Sequence, residues 1–218
     1  MKILALADFH GHRPSFKRAL DKALEEKVDL IVLAGDITHF GNLKTARELL
    51  DILKPSKATI LYVPGNCDPP SLAYVEWEDI ICLHGRKFKI EDLVFMGVGG
   101  ALTSPFYTLF EMREEGIRNV LDRSLNQEEN AKFILVSHVP PKNTKVDLAY
   151  LGTHIGSLSV RRFIEEKHPL CVICGHVHEA LGIDKINETV IVNPGPARMM
   201  LCAIIRIEKE IDVVPGFL

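Results

Sequence analysis

The sequence predicts an α/β fold whose chemistry is gathered at the ends of its strands. Two observations lead there. Short β-branched runs alternate with segments whose apolar residues recur at helical spacing, and five of the apolar runs stop in the same kind of polar punctuation. With 218 residues, 47% of them apolar and 25% charged, the chain is long enough to bury a substantial core, and residues 1–218 read as a single domain.

The elements follow in order. Residues 2–7, apolar from Ile3 onward, read as a strand. Residues 14–27 place Phe16, Ala19, Leu20, Ala23 and Leu24 on one helical face, with Pro14 tolerated in the first turn. Residues 30–34 form a second strand. Residues 42–53 form a helix with Leu43, Ala46, Leu49, Leu50 and Leu53 along one side, and residues 59–63 a third strand. Residues 80–83, 87–90 and 93–98 read as shorter strands of antiparallel character. Residues 111–130 are polar and helical. Residues 133–137, 170–174 and 189–192 are strands again, with a helix over 157–167, and residues 201–214 give two closing strands around a Lys209-Glu210 turn.

The strand ends carry the chemistry. Residues 3–7 run into Asp8-Phe9-His10, residues 30–34 into Gly35-Asp36, and residues 60–64 into Gly65-Asn66. Residues 134–137 run into His138, and residues 172–174 into Gly175-His176-Val177-His178. Carboxyl ends of strands share one edge of an open α/β sheet, and ligands bind outside it, so these distant residues are expected to converge. Asp8 and His10, like His176 and His178, are two apart, and an extended backbone would turn both members of each pair the same way. Carboxylates, imidazoles and one amide form the mixed oxygen and nitrogen set that Mn²⁺, Fe²⁺, Co²⁺, Ni²⁺ or Zn²⁺ accept, with no thiolate placed to impose a soft tetrahedral site. Seven such ligands exceed the need of one ion and suit two that share a bridging carboxylate. A lone Gly-Asp is ordinarily just a turn; five such strand ends in one chain make a site.

Other features narrow the class. A net charge of −3 argues against non-specific nucleic-acid binding, which needs a basic face. The apolar start at residues 3–7 stops after five residues at Asp8, short of the roughly 7–15 of a secretory core, and no run approaches the ~18 apolar residues of a membrane span. A cytoplasmic protein is expected. Cys67, Cys82, Cys171, Cys174 and Cys202 are odd in number and set in apolar stretches, as reduced buried thiols are. Cys171 and Cys174 sit three apart on a strand and should face opposite ways.

In this order, Asp8-x-His10, Gly35-Asp36, Gly65-Asn66, His138 and Gly175-His176-x-His178 resemble the calcineurin-like metallophosphoesterase superfamily. Gly97-Val98-Gly99-Gly100, Ser137-His138-x-Pro140-Pro141 and His154-x-Gly156-Ser157 are similar to its small Icc-type phosphoesterases. The resemblance implies a four-layer α-β-β-α sandwich, two mixed sheets flanked by helices. It implies one divalent ion held by Asp8, His10 and His178, a second held by Asn66, His138 and His176, and Asp36 bridging both. Manganese is the first expectation, with nickel, iron, cobalt or zinc also compatible. The implied reaction is hydrolysis of a small phosphate ester by metal-activated water, with Asp36 and Asn66 also counted among the catalytic residues.

One departure bears on specificity. Many members of that superfamily read Gly-Asn-His-Asp/Glu, whereas this chain has Gly65-Asn66-Cys67-Asp68, and a cysteine is a poor general acid. Diesters are therefore favoured over monoesters, and His12, His39 and His154 become candidates for the missing catalytic imidazole. His154 precedes a helix start at Gly156-Ser157 able to hold an anion. Trp77, Phe106, Tyr107 and Phe110 are expected to fill core or rim, with 106–110 a candidate lid, and His84 and His168 are expected at the surface. The competing classes are a non-catalytic scaffold on the same fold, a phosphomonoesterase, and a nuclease, the last opposed by the acidic balance and the short stretch after the last ligand motif. A metallo-β-lactamase-type site would need a His-x-His-x-Asp-His run, and the sequence contains none.

Overall fold

The computed structural model describes residues 1–125, 132–150 and 152–218. The first half alternates as expected: β1 (Lys2–Leu6), α1 (Arg13–Glu26), β2 (Leu30–Ala34), α2 (Leu43–Leu50), β3 (Thr59–Val63) and β4 (Ile80–Cys82). Helix α1 starts with Pro14 in its first turn, buries Phe16, Ala19 and Ala23, and ends at Lys27 in the left-handed conformation. Helix α2 starts where the Asn42 side chain accepts from the Thr45 amide. It is shorter than the sequence suggests, because Pro55 lies inside the following 3-10 turn, Asp51–Ser56, and cannot continue an α-helix.

The second half holds β5 (Lys87–Ile90), β6 (Leu93–Val98), β7 (Ala101–Leu102), β8 (Glu111–Met112), α3 (Glu114–Leu125), β9 (Lys132–Ser137) and α4 (Leu158–Lys167). It closes with β10 (Cys171–Cys174), β11 (Gly182–Ile186), β12 (Thr189–Asn193), β13 (Leu201–Ile207) and β14 (Ile211–Phe217). Of the helix expected over 111–130, residues 111–112 pair as strand and residues 126–130 lie outside the described residues. The antiparallel character expected around residues 80–98 holds only for β5 on β6. Strand β4 runs parallel to β3, and β6 runs parallel to β9. Strand β6 is buried along its whole length, as a strand covered on both faces must be.

Two six-stranded mixed sheets result, in the orders β14-β13-β1-β2-β3-β4 and β11-β12-β10-β9-β6-β5. Three apolar clusters set the layers. Leu4, Leu6, Phe16, Leu33, Leu49 and Tyr62 join the first sheet to α1 and α2. Ala5, Val32, Val63, Phe95, Val136 and Ile173 fill the space between the sheets. Met96, Leu121, Leu135, Phe163 and Val172 join the second sheet to α3 and α4. This is the four-layer α-β-β-α sandwich. Cys171 faces the middle layer and Cys174 the outer one, so the two thiols look away from each other, and both are free. In the first sheet β1, β2 and β3 are neighbours, as are β9 and β10 in the second. The five punctuated strand ends therefore come from two adjacent groups on facing sheets.

Candidate metal centre

The chain turns sharply as it leaves these strands. Asp8 (φ 56°), His10 (φ 46°), Asp36 (φ 51°) and His176 (φ 70°) all occupy the left-handed region, which disfavours residues with a Cβ. The expectation that each pair of ligands faces one way along extended backbone is thus corrected: left-handed turns aim them. Backbone bonds knit the turns together, from the Asp8 amide to the Gly35 carbonyl at 3.0 Å and from the His10 amide to the Asp36 carbonyl at 2.8 Å. Two glycines permit the close approach. A Cβ on Gly35 (φ 93°) would strike the His138 ring, and one on Gly65 would strike the Asp36 carboxylate and amide.

All seven expected ligands meet here. His10 Nε2 lies 3.2 Å from His178 Nε2 and 3.5 Å from Asp36 Oδ2, and His178 Nε2 lies 3.4 Å from Asp8 Oδ1. On the other side, Asn66 Oδ1 is 2.9 Å from both His138 Nε2 and His176 Nδ1, and His138 Nε2 is 3.7 Å from Asp36 Oδ1. Asp36 touches both groups. Ligand atoms of Asp8, His10 and His178, and likewise of Asp8, Asp36 and His138, lie within 4.8 Å of one another.

The chemistry of this cluster calls for cations. Asp8 and Asp36 are 0% and 2% exposed, and among the described residues they pair only with histidines, never with lysine or arginine. His138 gives its Nδ1 hydrogen to the Ala34 carbonyl at 2.8 Å, and in that tautomer Nε2 turns a lone pair onto the Asn66 oxygen at 2.9 Å. Lone pair against lone pair is repulsive unless a positive charge lies between. His10 Nδ1 is buried with no partner among the described residues. Burial holds His10 down to about 4 and His176 to about 3, leaving both rings neutral and ready to coordinate near pH 7. His178 is raised by its bond to Asp8. Burial pulls the Asp8 carboxyl upward, but the His178 bond and the surrounding imidazoles outweigh it and the net direction is down. Burial and then the charge of Asp8 raise Asp36.

The family model for calcineurin-like phosphoesterases matches residues 1–180. The chain belongs to that family. An uncharacterised protein of Methanocaldococcus jannaschii is 39% identical over 206 residues, covering 90% of this chain and 88% of its own. A probable cyclic nucleotide phosphodiesterase of Ruthia magnifica is 23% identical over 188 residues, covering 84% and 76%. A Thermus thermophilus crystal structure shares the fold, with a TM-score of 0.81 at 18% identity over 99% of this chain and 98% of that one.

The calcineurin-like scaffold distributes the remaining candidates unequally. His39 sits edge-on to His10, ring centres 5.5 Å apart, and with His12 it lines a cleft beside the cluster. His12 Nδ1 is 2.6 Å from the Ser15 hydroxyl. His154 bonds the buried Asp147 at 2.7 Å. The helix start that follows it holds no open anion site: the Glu114 carboxylate already accepts from the Ser157 hydroxyl and the Leu158 and Ser159 amides. Cys67 is buried, and burial followed by the charge of Asp36 pushes its thiol well up, so it is no thiolate. Phe106 and Tyr107 are 83% and 88% exposed at a loop tip, whereas Phe110 is buried and its amide bonds the Asn66 carbonyl at 3.0 Å. Trp77 packs half-buried against the first core cluster. His84 is not at the surface: it is 5% exposed and accepts from the Gly99 amide at 2.9 Å. His168 is exposed at the end of α4.

Two residues escaped the sequence reading. Asp68, fully buried, accepts from the Ile37, Thr38 and Gly65 amides and the Thr38 hydroxyl at 2.7–3.0 Å, clamping the Asp36 loop to the Asn66 loop. Arg198 reaches to 3.3 Å from His178 Nδ1. Its signal was a sixth punctuated strand end, where β12 runs into Asn193-Pro194-Gly195.

Proposed function

We propose that this calcineurin-like phosphoesterase is a metal-dependent phosphodiesterase acting on a small phosphate ester in the cytoplasm. Asp8, His10 and His178 would hold one divalent ion and Asn66, His138 and His176 the other, with Asp36 in reach of both. The observation that carries the reading is the pair of buried carboxylates with no lysine or arginine partner among the described residues, ringed by imidazole nitrogens. Two such ions supply Lewis acidity at the phosphoryl oxygens and lower the pKa of water.

The chain's own residues do the rest. The Gly35 and Gly65 contacts and the Asp68 clamp hold the ligand loops before substrate arrives, so little reorganisation is left for the reaction. Protonated, weakly donating Cys67 stands where many relatives place histidine, which favours diesters with competent leaving groups; the Ruthia relative's name points the same way. Of the three spare imidazoles, His39 lies edge-on to ligand His10 and is the one we assign to protonating the leaving group. His12 and His154 are each bonded to a neighbour. Manganese is the first metal to test.

The test is hydrolysis of an activated diester and its matching monoester by metal-stripped protein, with Mn²⁺, Ni²⁺, Co²⁺, Zn²⁺ or Mg²⁺ added back. Metal-restored turnover that vanishes in Asp36→Ala is expected, with the diester preferred. Folded protein that no metal activates, and that binds no ions, would instead be a scaffold.

A further inference from the structure

Beside the ligand cluster lies a cleft of about 440 Å³ lined by Phe9, His10, His12, His39, Arg198 and Met199. That size suits a small organic ligand. Arg198 is its one permanent cation. The Arg198 side chain is exposed and forms no ion pair among the described residues, its contact being Nη2 to His178 Nδ1 at 3.3 Å. Its backbone is fixed against the ligand loop: the Arg198 amide bonds the Asp8 carbonyl at 3.3 Å and the Ala197 amide bonds the Ala7 carbonyl at 2.7 Å. An unpaired guanidinium is thus held at the mouth of the cluster.

The partner that Arg198 has here is conditional. His178 turns Nε2 toward Asp8 Oδ1 and His10 Nε2, so Nε2 is the nitrogen available to a cation. A neutral imidazole that gives Nε2 to a metal carries its hydrogen on Nδ1. Nδ1 then cannot accept from Arg198, and the guanidinium must find another acceptor. The flank beside Asn66 carries Cys67, a side chain that offers no positive charge, whereas the flank beside His10 and His178 carries a guanidinium.

We infer that Arg198 is a substrate-binding residue that grips the non-bridging oxygens of the phosphoryl group from the His10 and His178 flank. The assignment rests on the phosphodiesterase reading and names the anion contact within it. Two parallel N–H donors match a phosphoryl group, a geometry that lysine lacks.

The test is calorimetric binding of inorganic phosphate to Mn²⁺-loaded wild-type, Arg198→Ala and Arg198→Lys proteins, beside titration of Mn²⁺ into each metal-free protein. The expected result is that Arg198→Ala keeps two ions per chain and binds phosphate about tenfold more weakly or worse, with Arg198→Lys between. KM for the activated diester should rise in parallel. Phosphate bound equally by Arg198→Ala and wild type at saturating Mn²⁺ would overturn the inference, and a weaker Mn²⁺ site in that variant would then recast Arg198 as a support for His178. Wild-type protein that binds neither Mn²⁺ nor phosphate would overturn the phosphodiesterase reading, and this inference with it. Wild type that binds both, against an unaffected variant, would sink the Arg198 contact alone.

Discussion

Asp68→Ala should damage this protein more than any change to a loop carboxylate ordinarily would. The carboxylate divides its work: Oδ1 accepts from the Thr38 amide and hydroxyl, and Oδ2 from the Ile37 and Gly65 amides. Truncation leaves three buried amides and a hydroxyl facing a small void. At roughly 1 kcal/mol or more for each orphaned donor, and allowing water to repair one or two, the loss is about 2–4 kcal/mol. For a chain of this length that corresponds to roughly 4–16 °C in Tm. Asp68→Asn is the informative partner. Its amide can face the Thr38 hydroxyl, which is able to accept, but one backbone amide then meets a donor, so about 1–2 kcal/mol should be lost. Burial and then the charge of Asp36 raise the Asp68 carboxyl to about 6, so the assay belongs near pH 8, where it is ionised. Urea unfolding of metal-free protein gives the energies, and Mn²⁺ titration reads whether the Asp36 and Asn66 loops still meet. An Asp68→Ala protein within about 1 kcal/mol of wild type, binding Mn²⁺ normally, would refute the clamp.

Three further outcomes are expected. Metal-free protein should lose roughly 4–6 kcal/mol between pH 7 and pH 4: His10, His84 and His176 fold at about 4, 4 and 3 against 6.5 unfolded, so the unfolded chain binds more protons as pH falls through that window, and together they outweigh Asp68, which is raised to about 6 and takes its proton earlier in the fold. His178, raised in the fold, works the other way only above pH 6.5, and a flat urea midpoint from pH 7 to 5 would show the rings are not held neutral. Cys67→His should raise the monoester-to-diester rate ratio by about tenfold or more, as a positioned general acid does; an unchanged ratio would exonerate Cys67 as a specificity determinant. Gly65→Ala places its methyl against Asp36 and should cost about 2 kcal/mol or more together with at least one ion, read as metal stoichiometry; retention of both ions would show that the loop yields.

What the sequence made legible was apolar periodicity, and where that was strong the boundaries agree to the residue, as for β2, β3, β5 and β6. Strand β11 was not legible because Gly182–Ile186 interleaves Asp184 and Lys185 with apolar residues at a sheet edge, and most of it is exposed or half-exposed. Strands β7 and β8 are two residues each, too short to show any period. His84 misled because one polar residue in a loop says nothing of its burial. Its place is set by Gly99, Phe110 and Tyr74, and the resulting burial pushes the ring down to about 4. Asp68 stood in plain view beside Asn66, but an acid in a turn is ordinarily solvated. Only the crossing of two loops shows that this one is buried and fully bonded.

Which residues would gather at the strand ends was legible and how they are aimed was not, for one reason. Spacing arguments assume regular backbone, and the candidate ligands Asp8, His10, Asp36 and His176 sit where backbone is least regular. A left-handed residue with a Cβ is disfavoured by about 1–2 kcal/mol, so four of them together form a standing strain comparable to much of a domain's net stability. Such strain survives only where the surroundings over-determine it. Here they do: Asp8 and His10 are bonded to the β2 loop through their amides, Asp36 is boxed in by Gly65 and the Cys67 amide, and the His176 amide is held by Asp8. Each loop is therefore locked by the next, and the lock closes only when both sheets are in place. The glycines that precede Asp36, Asn66 and His176 belong to this interlock as much as the ligands do, since each leaves room for the neighbouring loop. A chain that keeps the ligands and loses the glycines should keep its fold class and lose its site.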